Sequence, residues 1–414
     1  MLPIRTATPD DWQAIASLLS MLFHHTIDPE EDQLDQRQWE PDRSLVITEG
    51  DAVVAHATAV TRDLTVPGAV VPAAHVTMVG VAPTHRRRGA LTGMMHQQLR
   101  EVPEPIAVLW ASEARIYGRF GYGLAGQRLE LSVETSEVRL PAASAPPRLR
   151  VVLAAECRPD LAKVYDQLRA DRTGWSSRSE ATWGYVLSDT AARRNGATAL
   201  RAVLHEGIGG IDGYALWRTQ SSWTSGSNPD SEVLVREVAA ANLEAYAALW
   251  RFLLSIDLTR TATYGFAAID EPLVHLVNEP RRLNARFKDS LWVRLVDVGA
   301  ALAARRYRTD IDVVIEVSDP LLPANNGRWR LTGGAERAAC RRTDDSADLA
   351  CDVRELGAAY LGGTSLTTLA AAGRVRELRP GALTAASTAF GWHRPPSAPE
   401  IYNPPMITAS LTSL

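Results

Sequence analysis

"VGVAPTHRRRGALTGMMHQQLR", residues 79 to 100, decides the fold. Its first residues are small and apolar and read as the end of a strand. Past Gly89, Leu91, Met94, Met95 and Leu99 recur on one helical face. Between strand and helix stand Arg86, Arg87, Arg88 and Gly89. Stacking like charges beside a glycine costs stability unless something compensates. A helix start presents backbone N–H groups without intrahelical partners and the positive end of the helix dipole. Phosphate binds at such places. Glycine lets an anion approach the backbone, and guanidinium groups add charge-assisted bonds. The alternative is a solvated, charged turn. The spacing matches neither a Walker loop, which ends in Gly-Lys-Ser/Thr, nor Gly-x-Gly-x-x-Gly.

Outward from this junction, "TPDDWQAIASLLSMLFHH" (8–25) reads as a helix. Thr8 can cap it, Pro9 suits its first turn, and Asp10 and Asp11 complement its dipole. "SLVITEG", "AVVAHATAVTRDLTV" and "AHVTMVGVAP" read as strands, the last two joined by the turn in "PGAVVP". "PIAVLWAS" is a short apolar strand buried on both faces. Helix, strands, helix, strand make an α/β or α+β unit of 1–142. The Pro- and Ala-rich "LPAASAPPRLR" (140–150) ends it.

A second unit, 143–290, repeats the theme. "LRVVLAAECRPDLAKVYDQLRADR" and "SEVLVREVAAANLEAYAALWRFLLSID" each pass from strand to helix. Its junction is "EVAAAN", with no arginine or glycine, so phosphate-type chemistry is expected once in the chain. A third unit, 291–414, opens with "SLWVRLVDVGAALAARRY" and continues as a sheet meander through "DIDVVIEVSD", "GRWRLTG" and "RAACRRT". "ADLACDVRELGAAYLGG" and "SLTTLAAAGRVREL" are read as helical.

Whole-chain properties bound the function. The 414 residues are too many for one core. Hydrophobic residues at 46% and charged residues at 22% describe an ordinary globular protein. A net charge of −4 gives no sign of a nucleic-acid binder. Cys157, Cys340 and Cys351 offer neither a disulfide framework nor a zinc spacing, and no metal site is expected. No signal-peptide pattern opens the chain, and no apolar run nears the roughly 20 residues that cross a bilayer. A cytoplasmic protein without membrane or nucleic-acid partners is expected.

"VGVAPTHRRRGALT" resembles the acetyl-CoA motif of the GCN5-related N-acetyltransferases (GNAT), with Leu91 where that motif has Gly or Ala. "VAPTHRRRG" and "ASEARIYGRFGYG" (111–123), supported by "LTVPGAVVP" and "LWVRLVDVGAALAARRY", resemble the Eis (enhanced intracellular survival) N-acetyltransferases over essentially the whole chain. The resemblance implies tandem GNAT-like domains, the second without cofactor, then a sterol-carrier-protein-like α+β domain. It implies acetyl-CoA contacts at Val79, Gly80, Val81, Arg87, Arg88, Gly89, Ala90, Leu91, Thr92, Ser112 and Glu113. It makes Tyr117 the general acid, a choice over Tyr122 that the residues themselves leave open, and the terminal carboxylate of Leu414 the general base. The implied acceptors are primary amines: aminoglycosides, related polyamines or lysine side chains. Hexamers are implied too. For the acceptor side, His25, Trp39 and Met78 are candidates. The acidic run "DPEEDQLD" (28–35) either steers a cation or is a solvated loop. A second reading is a lipid-binding protein that senses acyl-CoA through its third domain.

Overall fold

From Ala52 to Val81 the chain forms a long antiparallel hairpin, Ala52–Val66 against Ala69–Val81, turning at Pro67-Gly68. Gly68 sits at φ 67°, and a Cβ there would meet Arg306 at 2.6 Å, so both backbone and neighbour require glycine. The computed structural model describes residues 3–143 and 146–400. Among these, three sheets carry the strands.

In the first sheet the hairpin is flanked by Ser44–Glu49 on one side and Ile106–Trp110 on the other. All five residues of Ile106–Trp110 are buried, as expected of a strand covered on both faces. Helix Trp12–Phe23 buries Trp12, Ile15, Ala16, Leu18 and Leu19, and helix Ala90–Glu101 buries Met94, Met95 and Leu99. Asp11 accepts from the Thr8 N–H at 2.7 Å, at the start of a 3-10 turn, Pro9–Asp11, that precedes the first helix.

The acidic run is not a loop. Pro29–Gln38 is a helix whose Asp28 cap accepts from the N–H groups of Glu30 (2.9 Å) and Glu31 (3.1 Å). Glu31 and Asp35, one turn apart, are buried. This face packs on the second unit, not on an apolar core, so hydrophobic periodicity carries no trace of it.

The units exchange strands. Leu291–Leu295 lies in the first sheet, between Ile106–Trp110 and Gly123–Leu124. Gln127–Glu134, read above as part of the first unit, pairs in the second sheet with Thr259–Ala268 and Arg286–Asp289. Both strands alternate or run apolar as any sheet strand would, so pattern alone does not say which sheet receives them.

In the third sheet, Ile311–Ser318, Gly327–Gly333 and Ala338–Arg342 form the expected meander. The two segments read as helical are each split. "ADLACDVRELGAAYLGG" is strand Leu349–Asp352 followed by helix Val353–Ala359, and Asp352 caps the latter by accepting from Arg354 N–H at 2.9 Å. "SLTTLAAAGRVREL" is helix Leu366–Ala371 followed by strand Val375–Glu377. Four- and three-residue strands are too short to show a period of two.

The last described residues return to the first two units. Ser397 Oγ accepts from Arg172 Nε (2.8 Å) and Trp175 Nε1 (3.1 Å). Buried Glu400 pairs with Arg62 of the first unit and with Arg178 of the second, the latter at 2.7 Å. Arg178 also binds Glu237 with both terminal nitrogens, at 3.1 and 2.6 Å. Its two partners hold this fully buried guanidinium charged.

Candidate active site

Strand Ala69–Val81 pairs in parallel with Ile106–Trp110 only at Ala73, Ala74 and His75. Beyond that the two strands part, and among the described residues the backbone edge of Val79–Val81 on that side has no strand partner. A bulge assists the parting. Met78 sits at φ 52°, where the hairpin register slips between His56 and Thr58. His56 Nδ1 donates to the Met78 carbonyl at 2.8 Å, and burial lowers the His56 pKa to about 4, so the ring is neutral.

A cavity of about 460 Å³ fills the opening. Val79, Gly80 and Val81 form one wall, Gly89–Thr92 another, and Ser112, Glu113 and Tyr117 the side facing them. Leu22 and Phe23, at the end of the first helix, also border it. A Cβ on Gly80 would come within 2.3 Å of Leu22, so glycine lets that helix lie close over the strand. The sequence reading missed Leu22 and Phe23, because it took them only as part of a core-facing helix.

The helix start is built for an anion. Gly89, the residue before Ala90–Glu101, lies at φ 81° and supplies no side-chain cap. Arg87 is left-handed as well, at φ 61°. Arg86, Arg87 and Arg88 are exposed, and among the described residues none forms an ion pair. Arg88, unlike Arg87, does not line the cavity. Arg86 Nε donates to the Val81 carbonyl at 3.4 Å. Open amides, a glycine approach and the guanidinium of Arg87 fit a diphosphate, and the free strand edge fits an extended chain of amides.

Tyr117 borders the cavity and is largely buried. Burial, reinforced by the charge of Glu113, pushes its phenol up to about 12, so it keeps its proton throughout the neutral range. Tyr122 packs edge-on against it, ring centroids 5.9 Å apart. Tyr122 is fully buried and does not border the cavity. Of the two tyrosines, only Tyr117 meets the space where a reacting group would lie.

The candidates for the acceptor side separate. His25 lines a second cavity of about 430 Å³ with Trp12, Leu19, Glu31, Asp32, Asp35 and Arg193. Burial lowers the His25 pKa, which favours a neutral ring. Trp39 and Met78 are core residues, 7% and 4% exposed, and line neither cavity. Trp39 packs on Trp12 with ring centroids 5.2 Å apart. Leu414 lies outside the described residues.

In the second sheet, Ser231–Ala240 and Thr259–Ala268 pair in parallel and then part in the same way. There Asn242 caps the following helix, accepting from Ala245 N–H at 2.9 Å, so the first-turn amides are partly satisfied from within. Among the described residues, the open, arginine-flanked helix start occurs in the first unit and not in the second.

Comparison with known proteins agrees with this geometry. Acetyltransferase (GNAT) domain models match residues 3–125 and 174–295, and a sterol carrier protein domain model matches 298–399. An uncharacterized N-acetyltransferase of Streptomyces avermitilis is 48% identical over 397 residues, covering 94% of this chain and 96% of that protein. The N-acetyltransferase Eis of Mycobacterium tuberculosis is 35% identical over 388 residues, covering 89% of this chain and 92% of Eis. The crystal structure of Eis1 from Mycobacterium abscessus matches with a TM-score of 0.83 at 32% identity, covering 97% of this chain and all (100%) of that one. Acetyltransferases of this type use acetyl-CoA. With two GNAT domains, a sterol carrier domain and full-length kinship to Eis, the chain is an acetyltransferase enzyme belonging to the Eis family of GNAT N-acetyltransferases.

Proposed function

We propose that the protein transfers the acetyl group of acetyl-CoA to primary amines of polycationic small molecules, aminoglycosides or related polyamines, with lysine side chains as further acceptors. The observation that carries this reading is the meeting of three features on one cavity: the free edge of Val79–Val81, the uncapped helix start at Gly89–Thr92, and Tyr117. The strand edge would pair with the pantetheine amides. Gly89, Ala90, Leu91 and Thr92 would hold the diphosphate with Arg87, and Arg88 would add long-range charge. Ser112 and Glu113 would border the pantetheine arm.

The reaction needs two proton movements. As the amine nitrogen attacks the thioester carbonyl, the C–S bond breaks and sulfur leaves as a thiolate. Tyr117 donates its phenolic proton to that sulfur. The nitrogen's surplus proton passes, through water, to the Leu414 carboxylate, which is ionised at neutral pH. Solvent then resets both groups. The route of the chain supports the second role: Glu400, fourteen residues before the end, is bound to Arg62 of the catalytic unit. In this reading residues 1–142 carry catalysis, 143–290 are a GNAT-like unit without coenzyme, and 291–414 deliver the carboxylate. A hexamer in the cytoplasm belongs to the same reading.

The test is thiol release from acetyl-CoA with a panel of aminoglycosides, polyamines and lysine peptides. Turnover of at least one class is expected. Its absence across the panel would refute the acceptor reading, and absence of acetyl-CoA binding in calorimetry would refute the coenzyme site. Extending the chain beyond Leu414 by a few residues should reduce turnover by at least tenfold, and a full rate would exclude the terminal carboxylate as base.

A further inference from the structure

Against the turn that follows Tyr117 lies a buried ion pair contributed wholly by the third unit. Along strand Leu291–Leu295, side chains alternate between two cores. Leu291, Val293 and Leu295 enter one, while Trp292 and Val296 pack into the core that holds Tyr117, Phe120 and Tyr122. Arg294 shares that second face. The strand pairs Trp292 with Leu124 and Val293 with Gly123, which brings Arg294 up to the turn. A Cβ on Gly121, at φ 81°, would stand 2.9 Å from the guanidinium carbon of Arg294. The turn is tied to Tyr117 by its backbone: Gly121 N–H donates to the Gly118 carbonyl (3.1 Å), and Tyr122 N–H donates to the Tyr117 carbonyl (3.3 Å).

The pair is fully enclosed. Arg294 Nη2 donates to the two carboxylate oxygens of Asp319, at 2.8 and 2.6 Å. Asp319 also accepts from the N–H groups of Leu321 and Leu322 (both 3.1 Å) and from Asn325 Nδ2 (2.8 Å). Leu321 and Leu322 then join the core around Tyr117. Arg294 Nε and Nη1 and the Tyr122 hydroxyl are buried without hydrogen-bond partners among the described residues. An enclosed ion pair with unpaired donors is a poor source of stability, and packed apolar residues would serve as well or better. What the pair supplies is a planar support that cannot rotate without leaving Asp319.

We infer that Arg294, held by Asp319, is a positioning residue for Tyr117: the pair fixes the Gly118–Tyr122 turn and, through it, the phenol at the cavity. The inference rests on the reading of Tyr117 as general acid. Arg294 does not border the cavity, so its influence passes through the turn and not through contact with the coenzyme. The third unit thereby reaches the reaction by its first strand, a route separate from the terminal carboxylate.

The experiment is a double-mutant cycle in the full-length enzyme. Arg294→Lys keeps a charge for Asp319 but has no planar fork to lie against Gly121. Arg294→Met combined with Asp319→Asn removes the pair without leaving a buried charge, and it replaces Arg294→Lys if that variant shows no cooperative thermal transition. Assays use the amine of highest turnover in the panel above. With Tyr117 present, the substitution should lower kcat at least tenfold, with the amine KM and the acetyl-CoA Kd unchanged. In a Tyr117→Phe background the same substitution should change kcat less than twofold, because no phenol remains to be positioned. An unchanged kcat with Tyr117 present overturns the inference, and so does an equal loss in both backgrounds, which is what a merely structural role gives. If Tyr117→Phe retains the native rate, or no amine is turned over, the acid reading fails and a second readout decides the positioning alone. With 4-fluorophenylalanine installed at position 117, the fluorine spectrum should show one narrow resonance in the otherwise native protein. Broadening or splitting of that resonance on substitution of Arg294 supports the inference, and an unaltered resonance overturns it.

Discussion

Tyr117 and Asp35 are both buried acids whose pKa values burial raises. Tyr117 borders the cavity proposed for the coenzyme, with its phenol raised to about 12. Replacing it with Phe preserves ring and packing and removes only the transferable proton. Turnover should fall by roughly 10²–10⁴-fold with the acetyl-CoA Kd unchanged, as read by thiol release and calorimetry. Asp35 is raised to about 8, chiefly by burial, against a lowering pull from Arg193. In the unfolded chain it ionises near pH 4, so between there and pH 8 the folded state holds the extra proton. Its contribution to stability therefore declines as pH rises through that window, at up to about 1.4 kcal/mol per unit. Asp35→Asn lacks this decline. The stability difference between variant and native enzyme, from urea melts at pH 5 to 8, should widen with pH in favour of the variant; a difference that stays flat would contradict the burial argument. At this scale the sequence was partly legible. The choice of Tyr117 came from the family resemblance and not from the residues, and only Tyr117 of the two tyrosines borders the cavity. Asp35 was hidden, because an acid in a run of acids reads as solvated until its helix is seen packed against Arg193.

Among the elements, the turn from Pro83 into the Ala90–Glu101 helix shows how little sequence the proposed anion site needs. Two consecutive features make it: the left-handed Arg87 and the left-handed Gly89 that ends the turn without capping the helix. A β-branched residue at Gly89 would be strained at φ 81°. Gly89→Val should therefore weaken acetyl-CoA binding about tenfold or more by tilting the first-turn amides, and the fold should survive. Calorimetry and far-UV circular dichroism read the two effects separately. The helix and strand of this element were plain in the sequence because their periodicities differ across a glycine. The bulge at Met78 was not, since no pattern marks a methionine for a left-handed conformation. The short strands Leu349–Asp352 and Val375–Glu377 were absorbed into neighbouring helices for want of length.

Across the whole molecule, the exchange of strands governs what can be separated. Three-unit order was readable from the repeated strand-to-helix theme and the differing junctions "HRRRGA" and "EVAAAN". Which strand enters which sheet was not, because pairing between residues 106–110 and 291–295 is set by contacts far apart in sequence. Leu291, Val293 and Leu295 are buried in the first sheet. A fragment ending at residue 290 removes that strand and strips the buried face of its neighbours. It should show no cooperative thermal transition and bind no acetyl-CoA, whereas the full chain should do both. A cooperative, coenzyme-binding fragment would mean the inserted strand is dispensable.

The same insertion sets an order of events during synthesis. A ribosome that has made the arginine-glycine turn and Tyr117 has still not made the strand that sits between Ile106–Trp110 and Gly123–Leu124. The nascent N-terminal part must wait, with an unfilled gap between those strands, until residues 291–295 emerge. If that strand is indispensable, domain-by-domain folding from the N-terminus, the usual route for large chains, cannot complete the first unit. Catalytic competence arrives late, after nearly three quarters of the polypeptide exists. A prematurely terminated product is thereby left without a finished site rather than with an unregulated one.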